Sequence, residues 1–293
     1  MTKPQPSKLL SSNLEPALNP RHWPAHLALG FDRDGERTRM LDMTFKGPLR
    51  VQRPFYPEGG LCHVYLLHPP GGLVSGDDLH IQIDCSTNSE VMVTTPSAGK
   101  IYCSDSNDVV QQQRVDIQVE DASCEWLPME TIIFDGAHGK LTTQVNLYGD
   151  AKFIGLDIFC LGRPKSDLPF SQGSIEQRIS VYHNDRPLML ERQLLTSNDA
   201  LIHAQAGFNG QLVSGTLVVF GLSNPEQVIQ LLREELGDCS NPHLSMTYRL
   251  NLVVIRYLGH CSEHAQKQLR KCWALLRPHL IHKPACPPRI WNT

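Results

Sequence analysis

The sequence predicts a mainly β fold with two α-helices in its C-terminal third. Three observations carry this. Short runs alternate apolar and polar residues with period two, Gly, Pro, Asn and Asp punctuate the chain between them, and helical spacing of apolar residues begins only after residue 222. With 293 residues the chain is long enough to bury a sizeable core without staples.

Residues 1–22 are rich in Pro, Ser and Asn and read as a mobile arm, and residues 23–293 are expected to form one β-rich domain. Leu27, Leu29 and Phe31 share a strand face; Asp32 to Gly35 turns the chain; Leu41, Met43 and Phe45 alternate on the return, a hairpin. Gly47 to Gly60 holds three prolines, which argues against a central strand. Cys62 to Leu67 is a short strand entering the turn Pro69-Pro70-Gly71-Gly72. Leu79, Ile81 and Ile83 alternate with His80, Gln82 and Asp84. A polar turn, Ser86 to Glu90, leads to Val91, Val93 and Thr95, and the two runs read as an antiparallel hairpin. Alternation recurs in Gln111 to Val119, Leu141 to Leu147, Ile175 to Tyr182 and Pro187 to Leu195, whereas Lys152 to Leu161 and GTLVVFGL are apolar runs.

Asn224 can cap a helix whose first residue is Pro225, whose broad apolar face is Val228, Ile229, Leu231, Leu232 and Leu236, and which Gly237 ends. Thr247 to Tyr257 reads as one returning strand. Ser262 caps a second helix carrying Ala265, Leu269, Cys272 and Leu276, and Pro278 stops it.

Composition excludes several classes. A net charge of −3 offers no basic field for nucleic acid or an anionic membrane surface. No apolar run approaches the roughly 18 residues of a membrane span, and the N-terminus lacks a signal-peptide core. The nine cysteines are odd in number and form no Cys-x-x-Cys, which fits free thiols in a reducing cytoplasm better than a disulfide framework.

Several blocks, in consistent order, resemble the UreD (UreH) family of urease accessory proteins. These are HPPGG followed by Gly76-Asp77 and Thr94-Thr95-Pro96-x-Ala98-x-Lys100-x-Tyr102; Arg53, Tyr56, Pro57, Glu58 and Gly59; and Trp126-Leu127-Pro128 with Glu130-Thr131 and Phe134 to Ala137. GLDIFCLGRP, Glu191-Arg192 and the ending ACPPRIWNT complete the match. Met129 stands where the family has Gln, and Ser166 to Pro169 replaces its usual small residue, Gly and Glu. The resemblance implies two stacked, twisted sheets in an elongated β-sandwich or helical-β arrangement. It implies a scaffold rather than an enzyme, bridging apo-urease and UreF, with the nickel carrier UreG recruited through UreF. No tightly bound cofactor is expected, only transient nickel.

Candidate chemistry follows from residue type. Asp157 and Glu191 interrupt apolar runs, where a carboxylate is costly unless paired or wetted, while Glu58 and Asp77 lie in turns. A salt bridge, for instance Glu191 with an arginine, explains such carboxylates as simply as function does. Resemblance to the family makes the four candidates for an oxygen-lined nickel passage. His260, Cys261 and His264 are a weaker metal set, lacking a fourth ligand. Cys62 and His63 point to opposite strand faces and are not expected to share a metal. Pro287, Pro288, Arg289 and Trp291 are the candidate UreF contact. PPGGLVSGDD lacks a Gly-Lys-Ser/Thr, so its glycines are read as turn residues. No Gly-x-Ser-x-Gly or His-Glu-x-x-His occurs. The competing class is a stand-alone β-sandwich ligand-binding module or small hydrolase.

Overall fold

The computed structural model describes residues 21–106, 109–237 and 243–292. Almost all of the expected arm, residues 1–20, therefore lies outside the described residues. Of its remainder, Arg21 pairs with Asp105, and His22 Nε2 lies 3.0 Å from Asp78.

Strands β1 (Trp23–Asp34) and β2 (Arg37–Lys46) form the expected hairpin. After the two-residue β3 (Arg50–Val51), the chain climbs as a coil between two sheets. β4 (Cys62–Leu67) lies in the second sheet, β5 (Asp77–Cys85) in the first, and β6 (Glu90–Thr94) in the second again. Short β7 (Gly99–Ile101) leads to β8 (Gln111–Glu120) in the first sheet and β9 (Ser123–Leu127) in the second. Short β10 (Thr131–Ile133) leads to β11 (Ala137–Tyr148) in the first and β12 (Lys152–Leu161) in the second. β13 (Gly173–His183) and β14 (Arg186–Thr196) then complete the first sheet as a hairpin. The one-turn helix α1 (Ala200–His203), β15 (Val213–Phe220), helix α2 (Pro225–Leu236), the hairpin β16 (Leu244–Arg249) and β17 (Leu252–Gly259), and helix α3 (Ser262–Ile281) follow.

The result is a seven-stranded sheet, β14-β13-β11-β8-β5-β1-β2, stacked on a ten-stranded one whose main path is β16-β17-β15-β12-β9-β6-β4-β3. Both expected descriptions, sandwich and β-coil, hold together here. Strands neighbouring within the coil run parallel, as in β5 with β8 and β6 with β9. The antiparallel hairpin expected of Leu79–Asp84 and Val91–Thr95 therefore does not form. Ser86 to Ser89 is a corner between sheets: Ser86 N–H donates to Phe31 O of β1 (3.0 Å), and the corners stack through Asn88 N–H to Asp121 O (2.9 Å) and Asp121 N–H to Tyr148 O (3.1 Å). Asn88 (φ 64°) and Asp121 (φ 46°) take the left-handed conformation these corners need.

Between the sheets, Leu27, Leu29, Ile81, Ile83, Ile117 and Val119 meet Val64, Val91, Val93, Cys124 and Phe153 in one core. A second core lies on the far face of the ten-stranded sheet, where Leu156, Ile158, Leu217, Val219 and Ile255 are sealed by Leu269, Trp273 and Leu276 of α3 and Leu232 of α2. This explains the two sequence textures. Strands of the seven-stranded sheet have one wet face and alternate; β12 and β15, covered on both faces, read as nearly continuous apolar runs.

Two local expectations are corrected. Thr247 to Tyr257 is a hairpin, because Leu250 (φ 53°) and Asn251 (φ 61°) form a tight turn within it. Pro278 does not stop α3; the helix runs one more turn because Leu280 and Ile281 bury in the second core, and it ends at His282 (φ 58°). Met43 and Phe45 share the inward face with Leu29 and Leu27, their cross-strand partners, but β2 is an edge strand and they remain exposed. Gly71 (φ 77°) and Gly76 (φ 87°) occupy left-handed turn conformations, as their reading as turn residues requires.

Candidate functional site

A polar seam crosses the otherwise apolar space between the sheets. In the ten-stranded sheet one register row runs Asp157, Thr216, Arg256 across β12, β15 and β17. These residues alternate with Leu156, Ile158, Leu217 and Ile255, which face α3, so the row faces the other sheet. There, Gln113, Leu141, Gln177 and Gln193 form one inward row, and Val115, Thr143, Ile179 and Glu191 the next. The two sheets meet through these groups. Gln177 Nε2 donates to Asp157 Oδ1 (2.5 Å), and Arg256 donates to Glu191 Oε1 (3.0 Å) and to Thr216 Oγ1 (3.3 Å), with a second, shorter contact to Glu191 Oε2. Gln193 Nε2 donates to Glu191 Oε1 (2.9 Å).

Asp157 forms part of the wall of two cavities. One, of about 350 Å³, is lined by His68, Gly72, Lys100, Gln113, Thr131 and Thr143 among others. The other, about 20 Å³, touches Thr143 and Thr216 and has room for a single water. Burial pushes Asp157 up to about 6; the Gln177 bond opposes this and the charge of Glu191 adds to it. His68, another lining residue of the larger cavity, has Nε2 buried without a hydrogen-bond partner, and burial lowers the pKa of this ring against the pull of Asp77.

The structure brings two of the four carboxylate candidates together, Asp157 and Glu191. Asp77 instead closes the turn ahead of β5, accepting from Val74 N–H at 2.9 Å. Glu58 belongs to a separate buried cluster. Arg277 donates to both its oxygens (2.6 and 2.7 Å), and His63 Nε2 lies 2.7 Å from Oε1. The same guanidinium reaches Glu125 (3.0 and 3.1 Å), which also accepts from Trp273 Nε1 at 2.6 Å. Burial pushes Glu58 up, but its bonds to His63 and Arg277 outweigh that and hold it down at about 2. At Glu125 burial prevails and raises the pKa despite Arg277 and Trp273. Ligand atoms of Glu58, His63 and Cys286 lie within 4.8 Å of one another, the one such trio among the described residues. A cation seated there would face the Arg277 guanidinium, so the geometry is that of a structural ion cluster.

His260 is exposed, while His264 Nδ1 lies 2.9 Å from Tyr257 Oη and Cys261 precedes α3. The tail is partly folded inward: Trp291 Nε1 donates to Thr94 Oγ1 (2.8 Å), its ring packs edge-on against Trp273, and Arg277 donates to Pro284 O. Pro288 accepts from Trp291 N–H at 3.0 Å, and Arg289 opens the closing 3-10 turn behind Pro287. Sequence reasoning missed Gln177, Thr216 and Arg256. For Thr216 and Arg256 the available signal was a polar residue inside an apolar run, the one that singled out Asp157; Gln177, in an alternating strand between Glu176 and Arg178, carried none. No helix among the described residues is long and apolar enough to cross a membrane.

Comparison with known proteins adds to this geometry. A family model described as UreD urease accessory protein matches residues 24–292. The chain is similar to urease accessory protein UreD of Pseudoalteromonas translucida, 46% identical over 280 residues that cover 93% of this chain and 92% of the relative. It is similar to urease accessory protein UreD 1 of Psychrobacter cryohalolentis, 45% identical with the same coverages. It also resembles that of Dechloromonas aromatica, 39% identical over 95% of this chain and 98% of the relative.

Proposed function

The chain belongs to the UreD urease accessory protein family, and from that premise we propose that it is a maturation scaffold bridging apo-urease and the UreF–UreG complex and conveying nickel to the urease active site. The observation that carries the reading is the polar seam, in which Asp157 and Glu191 stand between a 350 Å³ cavity and the Arg256 edge of the sandwich.

Oxygen and imidazole donors at Asp157, Glu191, Thr143 and His68 suit a divalent cation in transit, because they hold it less tightly than a thiolate cage does. Gln177 and Arg256 anchor the two carboxylates so that each has lone pairs to spare. Nickel is cargo here and no tightly bound cofactor is invoked; the setting is the cytoplasm. Asp77 acts on His68 from its turn, and Glu58 supports the fold beside the tail.

The test is co-purification of the chain with UreF, UreG and apo-urease, followed by nickel-dependent urease activation. Activation is expected to need the chain, and Asp157→Ala or Glu191→Ala is expected to reduce it in complexes that still assemble. Equal activation without the chain overturns the reading and favours a ligand-binding module using the same cavity. For the UreF contact, Trp291→Ala and Arg289→Ala are sharper tools than deletion of residues 284–293, which also removes the Pro284 carbonyl from Arg277.

A further inference from the structure

An open groove of about 560 Å³ lies between α2, α3 and the C-terminal tail. Its apolar lining comes from Leu236, Trp273, Ala274, Pro287 and Trp291. Lys267, Arg270 and Lys271 stand along it at helical spacing, and none of its lining residues is acidic.

Arg270 is singular among them. Its guanidinium sits 4.0 Å over the Trp291 ring, Nη2 donates to the Met129 sulfur (2.8 Å), and Nε is buried with no acceptor. Glu130 is the acid acting on it, yet Glu130 Oε2 accepts from Gln266 (3.0 Å) and forms no ion pair with Arg270 among the described residues. Burial lowers Arg270 to about 10. A guanidinium carries five N–H donors, and here a thioether is its only acceptor among the described residues. Lys271 is likewise turned to a backbone carbonyl, that of Glu235 at 3.2 Å. A half-buried cation lacking a carboxylate carries a desolvation cost that an incoming carboxylate offsets with a charge-assisted pair.

We propose that the groove receives an acidic segment of a partner protein, with one carboxylate on Arg270 and an adjoining apolar side chain against Trp273 and Trp291. This rests on the reading of the tail as a partner contact and supplies the chemistry of what docks there. Lys267 and Lys271 steer the approach, so the association weakens with salt.

The test uses the chain alone and two fluorescein-labelled hexapeptides, alternating Glu-Leu and alternating Gln-Leu, followed by fluorescence anisotropy. The Glu peptide is expected to bind saturably and at least tenfold tighter than the Gln peptide. Arg270→Gln is expected to remove that preference, while Lys46→Gln on the opposite sheet leaves it intact. Should Arg270→Gln fail to fold, the Lys267→Gln/Lys271→Gln double variant decides, with a loss of at least threefold expected. Absence of saturable Glu-peptide binding, equal binding of the two peptides, or unchanged binding by the folded variants overturns the proposal. Because no urease reaction is involved, these outcomes are separate from failure of the nickel-passage reading.

Discussion

Asp157 is a carboxylate that the fold holds at a cost. Its pKa rises to about 6, against 3.8 for the unperturbed group. Between those values the folded chain binds a proton that the unfolded chain lacks, so this residue's contribution to stability falls as pH rises from about 4 to 6 and stays unfavourable above. Asp157→Asn should therefore stabilise the protein at pH 7.5 by about 1–3 kcal/mol and flatten the pH profile of its urea midpoint between pH 4 and 6. An unchanged profile would assign that proton elsewhere. Arg277 represents the opposite case. Glu58, held at about 2, contributes stability that is present above its unperturbed 4.5 and is lost as pH falls towards 2. Arg277→Met would strand Glu58 and Glu125 together and should cost about 3–5 kcal/mol in urea unfolding at neutral pH. Sequence revealed Asp157 and Glu191 as carboxylates inside apolar runs. It gave no sign that Arg256, a polar residue in the apolar run of β17, would be the partner of Glu191 65 positions away, because that pairing depends on how the two sheets stack.

Period-two alternation reports that a strand has one wet face, and it was read correctly along β1, β5, β8, β11 and β13. It is silent about which sheet a strand joins. A polar link of four residues serves as a hairpin turn or as a corner between sheets, and the difference lies in hydrogen bonds to other corners. Parallel pairing was accordingly invisible in the sequence, although β12 and β15 already carried the continuous apolar texture of strands covered on both faces. At this scale the turns and the seal are testable. A Cβ on Gly76 would sit 1.6 Å from the Arg21 carbonyl oxygen, at a φ of +87°. Gly76→Ala should lower stability by roughly 2 kcal/mol or more, seen as a lower thermal midpoint, whereas Gly35→Ala, with open space around it, should cost less. Leu276→Ala, in the fully buried seam between α3 and the ten-stranded sheet, should cost about 2–5 kcal/mol.

Over the whole molecule, the two larger cores differ in character. The core between the sheets gives way to polar groups at the seam, while beneath α3 the apolar packing of Leu217, Leu269 and Leu276 adjoins the buried Arg277–Glu125–Glu58 cluster. Activation assays should separate them: Glu191→Gln should slow nickel-dependent activation with little change in melting, and Leu276→Ala should lower melting without a specific activation defect in complexes that assemble. Equal effects on both readouts for both variants would dissolve the distinction. The position of α3, residues 262–281, bears also on how the protein is made. A ribosome releases the ten-stranded sheet before it releases the helix that covers it, so each newborn chain passes through an interval with a bare apolar wall of Ile154, Leu156, Val219 and Ile255. Chains halted in that interval are expected in the pellet rather than the supernatant, and a holdase that binds exposed aliphatic surface would find its natural client there.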